Sequence, residues 1–166
     1  IHRHQLDPVP ARRRDVRAVM MMLADRIAPA SPLDAIREKL RGYPQLSVAD
    51  GGDRITVAAQ TADGFDVSFD ASGDEYTVYM AGWHAHFDPD QIDTALNCFA
   101  FGLSDTARLK VNSRGGRDYC WTLEAFEDGE WRTDSTTGQL FFRFWRRKTV
   151  RYLRNAVIVS SLESLA

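Results

Sequence analysis

Apolar positions along the chain follow two periods. Val16, Val19, Met20, Leu23 and Ile27 recur at helical spacing and predict a helix over 12–27. Arg12, Arg13, Arg14 and Arg17 crowd its first turns. That end of a helix is already electropositive, so an acidic neighbour is expected there. A second, shorter helix has clear punctuation. Ser31 caps it, Pro32 takes the first position, Asp34 completes a capping-box pattern and Gly42 ends it, with Leu33, Ile36 and Leu40 on the buried side.

The period then changes to two. Strands are predicted over 45–49, 54–60, 65–70 and 75–81, separated by short turns, which makes an antiparallel meander. Phe65, Val67 and Phe69 alternate with Asp66, Ser68 and Asp70, as in a half-buried strand. Asp88, Pro89 and Gln91 open a third helix, whose stripe is Ile92, Ala95, Leu96 and Phe99 and whose end is Gly102. A second meander is predicted over 107–113, 117–126, 139–146 and 149–154. The pattern leaves the tail from Asn155 undecided.

These elements give an α+β fold: a largely antiparallel sheet of about eight strands in two meanders, with two N-terminal helices and one central helix packed on it. The expected organisation is an extended lead-in over 1–10 and a single α+β domain over 11–166, since 166 residues suit one domain.

Composition adds little; charge adds more. The net charge is −2, but residues 55–107 hold nine acidic groups and no lysine or arginine, whereas residues 108–166 hold eleven basic and seven acidic groups. Such a division marks separate surfaces or neighbouring strands that compensate each other. No apolar run approaches the ~20 residues of a membrane span, so no membrane partner is expected. Cys98 and Cys120 fall among apolar neighbours and read as reduced thiols, which points to the cytoplasm.

Two segments carry candidate chemistry. In Trp83-His84-Ala85-His86-Phe87-Asp88, an extended backbone puts His84 and His86 on one face. Two imidazoles, with Asp88 as a third ligand, suit zinc or a similar divalent ion. Asp88 is also the cap of the third helix, and the competing reading is a structural pair of histidines at a strand end. The second segment, 140–154, has six basic and five aromatic residues among fifteen. In a strand, Leu140, Phe142 and Phe144 would face the core, while Phe141, Arg143 and Trp145 would form a cationic, aromatic face extended by Arg147 and Arg151.

Phosphate-loop, dinucleotide and nucleophile-elbow motifs are absent from the sequence. The leading expectation is therefore a non-enzymatic domain that binds a small ligand or a protein partner, a second copy included, and needs no cofactor. Its contact surface would draw on Trp83, Trp121, Trp145, Arg143, Arg147 and Arg151. One alternative is a metal-dependent enzyme using His84 and His86. The other is nucleic-acid binding through 140–154, which the acidic middle segment and the missing RNA-recognition signature disfavour.

Overall fold

The structure, a computed structural model, describes residues 31–139 and 142–159. The expected lead-in and the helix over 12–27 lie outside the described residues. The first element is helix α1 (Pro32–Leu40), capped as its sequence predicts: the Ser31 hydroxyl accepts from the Asp34 N–H at 3.1 Å. Leu33 and Ile36 are its buried residues. Arg37 ties this helix to the first hairpin, donating to both carboxylate oxygens of Asp50 at 2.7 and 2.9 Å and to the Gly52 carbonyl.

Five antiparallel strands follow in simple order: β1 (Val48–Asp50), β2 (Arg54–Val57), β3 (Val67–Asp70), β4 (Tyr76–Met80) and β5 (Trp83–Phe87). The expected first meander has four strands, and the fifth is the histidine segment itself. Its alternation is strict, with Trp83, Ala85 and Phe87 inward and His84 and His86 outward. A two-residue turn, Ala81-Gly82, sets this register by pairing Met80 with Trp83.

A single 3-10 turn (Pro89–Gln91) leads into helix α2 (Ile92–Gly102), which lies across this sheet. Phe99 meets Phe69 edge-on, with ring centroids 6.2 Å apart. Gly102 allows a close approach, because a Cβ there would lie 2.7 Å from Cε of Met80. Among the described residues these two helices are the α-helices present, and neither is long and apolar enough to cross a membrane.

The last four strands form a second antiparallel sheet: β6 (Ala107–Arg114), β7 (Arg117–Glu127), β8 (Glu130–Gly138) and β9 (Lys148–Arg154). Its order is β8-β7-β6-β9, so β9 pairs with β6 and not with β8. The second group is therefore a three-stranded meander with a returning strand. Two sequence expectations change accordingly. The polar stretch 130–138 is a strand, because Asp128 (φ 53°) and Gly129 (φ 82°) make a two-residue turn that folds it directly back on β7. The aromatic stretch expected as a strand over 139–146 is instead, over 142–147, an irregular crossover. It must span three inter-strand spacings, about 14 Å, to carry the chain from β8 past β7 and β6.

One buried apolar cluster joins both sheets and both helices, running from Leu33 and Ile36 through Phe69 and Phe99 to Val111 and Leu123. At the seam, the Trp83 indole N–H donates to the Ser135 hydroxyl at 3.2 Å. Buried Asn155 ties the end of β9 to the first half of the chain. Its amide donates to the carbonyls of Phe65 and Gly102 at 2.9 and 3.0 Å and accepts from the Phe65 N–H.

Candidate functional site

The crossover 142–147 lies over the end of the β6–β7 hairpin, and the two enclose a cleft of about 590 Å³. The hairpin turns on Gly115 and Gly116, both at positive φ, where a Cβ would be unfavourable. Just before them, Arg114 reaches across and donates from Nη1 to the carbonyls of Phe144 and Arg146, each at 2.7 Å. A β-bulge in the β6–β7 pairing (Asn112 opposite Cys120, Ser113 opposite Asp118) leaves Tyr119 unpaired. Its ring stacks on Phe142 with centroids 4.4 Å apart and planes 15° from parallel. The crossover is thus held by one guanidinium and one ring pair.

The cleft lining is cationic and aromatic. Arg114, Arg117 and Arg143 contribute guanidinium groups. The one carboxylate of the lining among the described residues, Asp118, is already engaged: Arg151 grips it with two donors at 2.7 and 2.6 Å, and the Ser113 hydroxyl adds a third at 2.6 Å. The Arg151 hydrogen bonds hold the Asp118 carboxyl below the usual aspartate range, partial burial opposing them. Among the described residues, neither Arg117 nor Arg143 has an ion-pair partner. Phe144 and Trp145 meet edge-on at 5.0 Å and remain 72% and 67% exposed. Two large apolar side chains therefore stand open beside guanidinium groups that have no ion-pair partner among the described residues.

Of the residues expected at a binding surface, Trp145 and Arg143 line this cleft. Arg147 is exposed in the same crossover, and Arg151 stands behind the wall as the partner of Asp118. Trp83 is buried in the core at 3% exposure. Trp121 is half-buried and packs on Gly82, where a Cβ would fall 2.2 Å from its ring. These two tryptophans build the seam between the sheets. Phe142 and Phe144, expected on a core face, are both exposed, because 142–147 is not a strand. Phe141 lies outside the described residues. Sequence reasoning missed Arg114, Arg117 and Tyr119. The one available signal was the Gly115-Gly116 turn, which fixes Arg114 and Arg117 as a facing pair.

The histidine pair also shares a face, with rings 5.3 Å apart. Nδ1 of His86 lies 2.7 Å from Oε1 of Glu75 and 3.2 Å from the Thr77 hydroxyl. Asp88 is at the start of the 3-10 turn, its N–H donating to the Gln91 side chain at 3.1 Å. Among the described residues, no three histidine, cysteine or acidic side chains are grouped to hold a metal ion. Comparison with known families, with curated proteins and with solved structures finds no match for this chain.

Proposed function

We propose that the protein is a non-enzymatic ligand-binding domain whose cleft, between the β6–β7 hairpin and the crossover, takes a small organic anion with an aromatic or apolar body. The observation that carries this reading is the lining: three guanidinium groups beside open aromatic rings, with Asp118, its one carboxylate among the described residues, paired to Arg151. Arginine suits the task because its planar fork matches carboxylate and phosphate oxygens, while the rings cover the rest of the molecule.

The test is a fluorescence titration that follows Trp145, the most exposed tryptophan, with phenyl phosphate, phenol and benzylamine as probes. Phenyl phosphate is expected to bind, with affinity falling as salt rises, and benzylamine is not. An Arg117→Ala/Arg143→Ala variant, altered only at exposed positions, is expected to lose on the order of tenfold in affinity or more. Equal responses to all three probes, or none, would overturn the reading.

A further inference from the structure

A sheet edge carries a row of N–H and C=O groups that another extended chain can join, so folded proteins keep edge strands short, covered or guarded by charge. Here the edges are closed in different ways. In the five-stranded sheet, β1 has only three residues. The edges β5 and β8 meet at the seam, where Trp83 donates to Ser135 and the Thr137 hydroxyl donates to the His84 carbonyl at 3.4 Å. The remaining edge is β9, seven residues long, without proline and paired to β6 in one unbroken register. The Arg154 N–H turns away from β6 to the Asp63 carbonyl at 2.7 Å. By the alternation of a strand, Lys148, Val150 and Tyr152 direct their backbone groups the same way. Among the described residues, no backbone hydrogen bond from outside β6 reaches these three. All three are exposed, Val150 at 43% and Tyr152 at 49%.

The arginines of β9 do not guard this edge, because both are drawn back into the protein. Arg151 is gripped and neutralised by Asp118. Arg154 donates from Nε to the Asp105 carbonyl and lies over the Trp131 ring, 5.5 Å from its centroid. Lys148 is the cation that remains, with no ion-pair partner among the described residues. We infer that a second copy of this chain pairs its own β9 antiparallel to this one, about a two-fold axis at Val150, and joins the two four-stranded sheets into one. In that register Val150 meets Val150, Lys148 meets the partner's Tyr152, and Thr149 meets the partner's Arg151. No two charges of β9 stand directly opposite, and every outward position on each strand finds a mate that exchanges both backbone hydrogen bonds with it. Sliding the strands two residues either way leaves an outward position unmatched on each. One of those slides also runs into the Arg154 N–H that Asp63 already holds. A foreign strand would gain the same backbone bonds, but the charge pattern of β9 is already matched to its own copy.

Sedimentation equilibrium of the full chain tests this. One strand pair is a small interface, so a dimer with a dissociation constant on the order of 10–100 μM is expected. Val150→Lys sets two cations against each other across the axis and is expected to weaken association on the order of tenfold or more. Val150→Glu alone should do the same, while an equal mixture of the two variants should associate again, because position 150 meets itself in this register. Val150→Pro removes an outward N–H and no bond to β6, so it should weaken the dimer with little change in thermal unfolding. The charge variants at this exposed position carry the test if the proline variant does not fold. A dimer that survives both charge variants, or a mixture that does not recover, would overturn the pairing. A chain that stays monomeric throughout would overturn it as well, and hydrogen exchange then says what becomes of the edge. Protected Lys148, Val150 and Tyr152 amides would mean that another segment of this chain covers it, and fast exchange would leave it to a foreign strand. Position 150 is outside the cleft lining, so none of these outcomes bears on the binding of phenyl phosphate.

Discussion

The two sheets treat their outward faces differently. In the five-stranded sheet the outward polar groups find one another: Arg54 and Asp70 pair at 2.7 Å, the Thr56 and Ser68 hydroxyls meet at 2.8 Å, and His86 faces Glu75. In the four-stranded sheet the far end is equally self-contained. Arg108 lies between the rings of Trp131 and Tyr152, 4.2 and 4.4 Å from their centroids, and pairs with Glu124 at 2.6 Å. Its near end is not: among the described residues Asn112 Oδ1 and Arg114 Nε have no hydrogen-bond partner, and Phe144 and Trp145 are mostly exposed. The aromatic and cationic residue types alone do not distinguish a site from a scaffold. At the far end Trp131 and Tyr152 face the Arg108 guanidinium, whereas at the near end Phe144 and Trp145 meet each other and remain mostly exposed.

The largest contrast is in stability. Phe69 is fully buried at the centre of the first sheet, and Phe69→Ala is expected to cost about 3–5 kcal/mol. Phe144→Ala, at the cleft, should change stability by less than about 0.5 kcal/mol and act on ligand binding instead. Denaturant titration of both variants measures this, and equal losses would remove the distinction between scaffold and site.

The seam should respond next. Gly82→Ala would drive a methyl group into the Trp121 ring and is expected to cost about 1–3 kcal/mol. Adding Trp121→Leu should recover part of that loss, and a double-mutant cycle reads the coupling directly. Additive effects would mean that the ring and the glycine do not meet.

The smallest effect belongs to the wall of the cleft. Arg151 depresses the Asp118 carboxyl, so the folded state holds its proton more weakly than the unfolded chain, where an aspartate titrates near ~3.9. The stabilisation is therefore present above about pH 4 and disappears as pH falls through the lower folded value. Arg151 is half exposed, and solvent screening keeps the pair below about 1 kcal/mol. The stability difference between wild type and Asp118→Asn should shrink as pH drops from neutral to 3, and a difference that grows would reverse the assignment.

Much of the scaffold was legible along the chain. Ser31, Pro32 and Asp34 announced α1 through capping chemistry that is local by nature, and Pro89 with Gln91 did the same for the turn before α2. Phe69 and Val67 announced β3 because burial on one face leaves its mark at every second residue. Less of the site was legible. Trp145 and Arg143 could be named from composition, yet Arg114 and Tyr119, which complete the lining, lie far off in sequence on β6 and β7. The polar strand β8 hides its identity, because Thr133, Thr136 and Thr137 bury no continuous face; only the tight Asp128-Gly129 turn gives it away.

The sequence by itself determined the elements whose cause is local: capped helices, tight turns at Gly115-Gly116 and Asp128-Gly129, and strands that alternate against a core. The tertiary structure alone decided that β9 returns to the free edge of β6. Strand pairing is a choice among edges, and no residue within β9 encodes which edge is free. That choice pulled an aromatic, strand-like segment out of any sheet and laid it over a hairpin end. There Arg114 fixed it, and a run of residues that would have faced a core became the rim of a cleft.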